Sequence, residues 1–189
     1  FFVSLSGLLW LLTTIYAIAY LEGSPHRSRF FGFFGLCVSA TMGIAMAGNL
    51  FTFITFYELL TITTYPLVVH RATPDSLRAG RIYLTYTLCG GAVLLLAAVW
   101  LHTLVPFGEF DGGTMVGTLG SEHYDTLRAI FALFIAGLGV KCALVPLHGW
   151  LPNAMVAPAP VSALLHAVAV VKAGAFGVVR VVYDVFGIE

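Results

Sequence analysis

Three ionisable residues of this sequence fall inside long apolar stretches, where a charge is costly. Glu58 and Lys172 lie near the middle of their stretches and Lys141 lies past the middle of its own, whereas nearly all other charged residues lie in links or near helix ends. A lysine at the centre of a membrane helix costs about 2.5–3.5 kcal/mol on insertion scales. Burial favours its neutral amine and a nearby carboxylate favours its ammonium, so such a lysine can accept and release a proton. These residue types at this depth predict a proton path.

Two structural interpretations of the same charges stay open. Glu58 and one lysine could form an ion pair that only holds helices together, which leaves the second lysine unexplained. Alternatively, the lysine side chains could extend to the membrane surface, although both lie deep for that.

Four further residues are candidates for the path. Thr61 and Tyr65 follow Glu58 by three and seven positions on the same helix face, although such residues more often bond to the backbone. His166 precedes Lys172 by six positions, which is about 120° around a helix, so the two share no face unless a π-bulge shifts the register. If they share no face, water would have to connect them. The alternative is that His166 is an ordinary core histidine whose hydrogen bonds are satisfied. His148 is a weaker candidate near the end of the fifth apolar stretch.

The composition indicates that these residues lie on helices that cross a lipid membrane. Residues of the set AVILMFWYC make up 59% of the 189 residues and charged residues 10%, and the mean hydropathy is +0.95. A soluble domain is about 25% charged. Six windows hold the roughly 20 apolar residues that a spanning helix needs: 1–20, 30–48, 50–69, 82–104, 129–147 and 160–183. The predicted fold is an all-α, polytopic transmembrane helix bundle.

The fifth window predicts a discontinuous helix. Pro146 follows Lys141 by five residues, and proline interrupts the hydrogen bonds of a helix, which would free carbonyls near Lys141. A plain helix end with Trp150 at the membrane interface explains the spacing equally well. Close helix approach is expected at four small residues: Gly137, Gly139, Gly174 and Gly177.

The basic residues predict the orientation of the bundle. Links 21–29 and 70–81 carry five arginines, which places both links in the cytoplasm. Link 148–159 then also lies in the cytoplasm, and the acidic link 105–127, with Glu109 and Asp111, lies outside. A prokaryotic plasma membrane is the expected location.

Several classes of function are excluded or disfavoured. The net charge of zero argues against a nucleic-acid partner. Cys37, Cys89 and Cys142 lack C-x-x-C spacing, so neither a metal site nor a disulfide is expected. Haem would require pairs of deep histidines, and only His166 is deep. We therefore expect no cofactor and no catalytic redox centre in this chain.

The two ends suggest a piece of a longer subunit. Phe1 begins inside an apolar run without an initiator Met, and the chain ends soon after its last apolar window. We expect one transmembrane domain over 1–189, with a leading helix and link at 1–29 and a helix bundle at 30–183.

Two segments carry a resemblance to a known family. The segment from Val140 to Met155, which continues through Ala157–Ala167 to Val171–Gly174, resembles the antiporter-like membrane subunits of respiratory complex I. It is equally similar to the large subunits of Mrp-type cation/proton antiporters and of membrane-bound hydrogenases. Phe56–Leu60 resembles the glutamate helix of the same family.

The resemblance implies a function and a role for each path residue. Glu58 would pair with Lys141 on a discontinuous helix, and His166 and Lys172 would pass protons toward a second bundle that is not present here. Members differ in whether the last helix has His, Lys or both, so which of the two is essential stays open. The expected partners are lipid, other membrane subunits and protons, with Na⁺ exchange left open. The alternative is a non-transporting membrane anchor of a redox complex.

Overall fold

The computed structural model describes residues 2–105, 110, 114–117, 119 and 121–187, and the regular structure in this part is helical. The helices are α1 (Phe2–Tyr20), α2 (Arg27–Met46), α3 (Leu50–Val68), α4 (Pro74–Leu104), α5 (Thr114–Gly117), α6 (Tyr124–Lys141), α7 (Trp150–Ala154), α8 (Ala159–Ala163) and α9 (Val170–Arg180). Within the described ranges, five helices are long and apolar enough to cross a membrane: α1 to α4 and the run Ala159–Phe186. The predicted all-α polytopic bundle is confirmed, but with five such helices instead of six, because the 18 residues of α6 carry three charges, Asp125, Arg128 and Lys141. Glu109 and Asp111 lie outside the described residues.

The fifth window is indeed discontinuous, but the break comes earlier than Pro146. Helix α6 ends at Lys141, and Ala143 has a φ of 54°, in the left-handed region. A proline at 146 removes the amide that would bond to the carbonyl of Cys142 and clashes with that carbonyl, so a continuous helix must end before it. The chain then resumes in a short 3₁₀ turn and α7. The window 129–147 is therefore wrong in its last six residues.

Helix α4 begins eight residues before its predicted start. The hydroxyl of Thr73 accepts a hydrogen bond of 3.2 Å from the amide of Ser76, Pro74 occupies the first turn, and Asp75 follows it. These are the residue types that favour a helix start. Arg78 and Arg81 consequently lie on the first turns of α4 and not in a link.

Small residues allow α4, α6 and α9 to approach closely. A Cβ added to Gly137 would lie 2.8 Å from the carbonyl oxygen of Gly90, and one added to Gly177 would lie 2.6 Å from Leu138. A Cβ on Gly174 would lie 2.6 Å from the amide nitrogen of Cys142, just past the end of α6. Gly139 is different, because its neighbours are Leu144 and Leu147 of the following segment. The close approach is thus confirmed at three of the four predicted glycines.

The three links predicted to share a side meet at one end of the bundle. Residues of 21–29 and 70–81, together with Pro158, line a common cavity. A different link contacts the last span. Arg180, at the end of α9, donates a hydrogen bond of 2.9 Å to the carbonyl of Ala47, between α2 and α3. Which end faces the cytoplasm stays a prediction. The 148–159 segment is not a simple link, because it contains α7 and the buried Trp150.

The last span is irregular along its length. It contains two π-helical segments, Leu164–Val168 and Val181–Phe186. Ala169, between the first of these and α9, has φ −129° and ψ −67°. The first π segment thus contains His166 and ends four residues before Lys172, and a π segment is what a shift of their register requires.

Candidate functional site

Glu58 and Lys141 form an ion pair inside the bundle. The Nζ atom of Lys141 lies 3.5 Å from Oε1 of Glu58. Glu58 is in the middle of α3, and Lys141 is the last residue of α6. The lysine side chain is 1% exposed and the glutamate side chain 27%. The separation exceeds the 2.7–2.9 Å or so of a tight charge-assisted hydrogen bond, so the pair is in contact without being locked together.

The ammonium group of Lys141 has a second partner on α3. It donates a hydrogen bond to the backbone carbonyl of Tyr57, and it lies 3.3 Å from the centroid of the Tyr57 ring. A cation over the face of an aromatic ring is attracted by the ring quadrupole. Tyr57 therefore holds the ammonium from two directions while Glu58 supplies the opposite charge.

Trp150 fixes the end of α6 immediately before Lys141. Its indole Nε1 donates a hydrogen bond of 2.7 Å to the carbonyl of Val140, and its side chain is fully buried. The Tyr83 ring of α4 contacts it edge-on, with the centroids 5.4 Å apart. The polar atom of Trp150 therefore satisfies a carbonyl at the helix end inside the bundle, a contact that neither interpretation of the sequence predicted.

Polar side-chain atoms near the pair are buried without hydrogen bonds. Among the described residues, the hydroxyls of Tyr57, Thr61 and Tyr83 find no partner, and Oε1 of Glu58 has only its ion pair. Buried polar groups are satisfied by protein or by water in nearly all proteins. An arrangement of this kind is suited to hold water molecules beside a carboxylate and an ammonium.

Among the described residues, no ion pair joins Glu58 or Lys141 to the predicted path residues of the last span, or to Tyr65 and His148. His166 is exposed and Lys172 is half-buried on the last span, and within the described part of the chain neither forms an ion pair. Tyr65 is half-buried beside Gly80, and His148 is exposed. The structure thus brings together two of the three deep charges, and the roles of the others stay predictions.

Three residues of the site were missed from the sequence. Tyr57 precedes Glu58 by one position and so lies on a different face of the helix. A helical wheel therefore does not predict that both residues contact the same lysine. Gly91 contacts the Glu58 carboxylate, and the Gly90-Gly91 pair inside an apolar helix was an available signal of close approach. An interfacial position for Trp150 was one of two alternatives, and its hydrogen bond to the Val140 carbonyl was not predicted.

Comparison with known proteins adds a family match. Residues 47–188 match the family described as "NADH:quinone oxidoreductase/Mrp antiporter, TM". The chain is 33% identical over 182 residues to a probable K⁺/H⁺ antiporter protein of Rhizobium meliloti, and the match covers 95% of this chain and 18% of that protein. It is 33% identical over 184 residues to the "NAD(P)H-quinone oxidoreductase chain 5" of a Picosynechococcus species, with 93% and 27% covered.

A solved structure shares the fold. The match is to a chain of the membrane-bound sulfane sulfur reductase, described as an archaeal respiratory membrane complex, with a TM-score of 0.82 and 22% identity. It covers 95% of this chain and 37% of the other. The chain therefore spans well under half the length of these proteins.

Proposed function

The chain belongs to the NADH:quinone oxidoreductase/Mrp antiporter family of transmembrane subunits, and from this premise we propose that it carries protons across a membrane. It is an integral membrane protein with several spans. The observation that carries the proposal is the contact between Glu58 and the buried Lys141 at the point where α6 ends. A lysine at this depth is expensive, and proton transfer gives it a purpose.

The electrostatics of the pair supply a switch. Two opposite charges about 4 Å apart at an effective dielectric constant near 20 attract by about 4 kcal/mol. Withdrawing or protonating the Glu58 carboxylate removes that attraction, so the Lys141 amine can release its proton more readily. The ammonium then gives up its proton, and it takes up another when the carboxylate returns. The 3.5 Å separation supports such movement because no tight bond must break.

Water and the last span provide the rest of the proposed route. The unpartnered hydroxyls of Tyr57, Thr61 and Tyr83 support water beside the pair. From there the proposed route continues to Lys172 and His166 on the last span. Proton transfer along such a chain needs groups that alternate between donor and acceptor, and hydroxyl, imidazole and amine groups all do so.

The proposed partners are other membrane subunits of a larger complex. The relatives that match the chain come from a K⁺/H⁺ antiporter and from a quinone oxidoreductase, so both parent types are considered. An antiporter parent would move protons in response to a Na⁺ or K⁺ gradient in vesicles. A redox parent would acidify the vesicle lumen on addition of NADH and quinone.

The test is substitution of Glu58 in the full-length parent. Glu58→Gln removes the carboxylate charge with almost no change in shape, and we expect it to abolish coupled proton movement while membrane insertion stays normal. Proteoliposomes with a pH-sensitive dye report the movement. Glu22→Gln, the same chemical change at an exposed link residue, is the matched control. Normal pumping by Glu58→Gln would refute the proposal.

A further inference from the structure

A second polar site lies at one end of the bundle, where the α1–α2 and α3–α4 links meet. The links enclose a cavity of about 660 Å³. Four of its lining residues are basic or can become so, and three carry hydroxyls: Arg29, Arg71, His26 and His70, with Tyr20, Ser24 and Thr73. Glu22 and Asp75 are the carboxylates nearest in sequence, and neither lines the cavity. The cavity is therefore built for a negative charge.

The arginines of this cavity have no carboxylate partner in the part of the chain that the structure describes. Arg29 donates a hydrogen bond of 3.2 Å to the carbonyl of His70, and Arg71 donates one of 3.3 Å to the hydroxyl of Tyr20. In the described ranges neither guanidinium forms an ion pair. Burial, and then the nearby Arg29, His26 and Arg71, lower the pKa of His70. Its Nδ1 atom is buried and meets no hydrogen-bond partner within the described residues.

Two helix N-termini add to the positive potential. Helix α2 begins at Arg27 after His26, and α4 begins at Pro74 after Thr73. Both preceding residues line the cavity. The dipole of a helix N-terminus is equivalent to about half a positive charge and favours phosphate groups.

One apolar groove leads away from the cavity along α2, and a second groove lies beside α2. Arg29 lines both the cavity and a groove of about 410 Å³ whose other walls are Gly32, Phe33 and Leu36. These positions follow one another along one face of α2, toward the middle of the membrane. A second groove of about 430 Å³, between α1 and α2, is lined by Ile18, Arg27 and Phe31, with Thr14 and Ser28. A free anion has no use for such grooves, whereas a phospholipid places its acyl chains there.

We propose that this cavity binds the headgroup phosphate of an anionic phospholipid, with an acyl chain in the Gly32–Leu36 groove. Basic pockets between transmembrane helices are known to hold anionic headgroups. The charge complementarity comes from Arg29 and Arg71, and the groove distinguishes a lipid from soluble phosphate. The site would tie the α1–α2 and α3–α4 links to the membrane surface. It depends on the chain spanning a membrane and not on proton transport.

The experiment measures lipid that stays bound to the purified full-length parent. Nanodiscs of phosphatidylcholine with a minor fraction of phosphatidylglycerol supply the lipid, and native mass spectrometry counts the retained phosphatidylglycerol. Arg29→Gln with Arg71→Gln should weaken retention about thirtyfold, from the loss of two cations near the surface. Arg78→Gln with Arg81→Gln removes the same charge from exposed residues of the same end, outside the cavity lining, and should leave retention unchanged.

A second pair of variants tests the groove. Nothing lies within 4 Å of a Cβ added to Gly32 or to Gly35, and both residues are exposed, so a larger side chain can start at either position without a clash at its Cβ. Gly32→Phe fills the groove and should weaken retention about tenfold, because it excludes part of an acyl chain. Gly35→Phe adds the same bulk outside the groove lining and should have no effect.

Two outcomes would overturn the proposal. Equal phosphatidylglycerol retention by the Arg29/Arg71 variant, the Arg78/Arg81 variant and the unmodified protein would show that the cavity binds no headgroup. Binding of inorganic phosphate in nanodiscs of phosphatidylcholine alone, together with a silent Gly32→Phe, would show a site for a soluble anion instead. Neither outcome bears on proton movement, which Glu58→Gln tests separately.

Discussion

Gly91 of α4 makes room for the carboxylate of Glu58. A Cβ added to Gly91 would lie 2.5 Å from Oε1, 2.6 Å from Cδ and 2.7 Å from Oε2 of that side chain. No side chain larger than hydrogen fits at this position while the carboxylate stays beside Lys141. The glycine therefore determines where the negative charge of the pair can lie.

Gly91→Ala is expected to impair function more than stability. The atoms in the way belong to the end of a flexible side chain, so Glu58 can rotate aside at little cost, but its carboxylate then leaves Lys141. Misplacement of a reacting group by about 1 Å can cost roughly a hundredfold in rate, and we expect proton movement to fall at least about tenfold. Dye-monitored proteoliposomes and thermal unfolding of the full-length parent measure the two effects. Gly35→Ala, in open space, is the control, and unchanged transport by Gly91→Ala would contradict the role given to Gly91.

Trp150→Phe should loosen the end of α6. The variant keeps the aromatic packing but removes the 2.7 Å hydrogen bond to the Val140 carbonyl, which is worth about 1 kcal/mol. Because Val140 precedes Lys141, the lysine should be held less firmly and proton movement should fall. Trp10→Phe is a matched control, since Trp10 is also buried but its Nε1 has no hydrogen-bond partner in the described part of the chain. Equal melting temperatures for the two variants would contradict this prediction.

The sequence predicted the spans and the two central charges for clear physical reasons. Apolar runs of spanning length leave few alternatives to a helix in lipid, so helix positions followed with errors at the ends. Glu58 and Lys141 stood out because charges inside such runs are rare. The errors at α4 and α6 have local causes. The helix start at Thr73-Pro74-Asp75 was assigned to a link, and the helix before Pro146 was expected to continue past Cys142.

Contacts between helices were beyond sequence reasoning. That Tyr57 presents its carbonyl and ring to Lys141 depends on how α3 and α6 cross, which periodicity within either helix does not determine. The same holds for the basic cavity, because Arg29 and Arg71 are 42 positions apart in the sequence and meet only when the links pack together.

His70 is expected to make stability depend on pH. Burial is the main cause that lowers its pKa, and Arg29, His26 and Arg71 add to the effect. The folded protein therefore binds fewer protons at His70 than the unfolded chain does, so stability is full above the ordinary histidine pKa of about 6.5 and falls as the pH drops below it. His70→Gln should flatten this decrease, as measured by melting temperatures of the parent across the pH range. Parallel curves for the two proteins would contradict the prediction.

Removing both charges of the ion pair separates a structural role from a transporting one. If Glu58 and Lys141 only hold α3 and α6 together, Glu58→Gln with Lys141→Met should be tolerated, because replacing a buried pair by neutral residues of similar size is often neutral or stabilising by about 1–4 kcal/mol. We expect the double variant to match the unmodified parent in melting temperature and to transport no protons. The single variant Lys141→Met leaves the Glu58 carboxylate without its cation and should be less stable than the double variant. Full transport by the double variant would identify the pair as structural, because a proton relay cannot work when neither group can titrate.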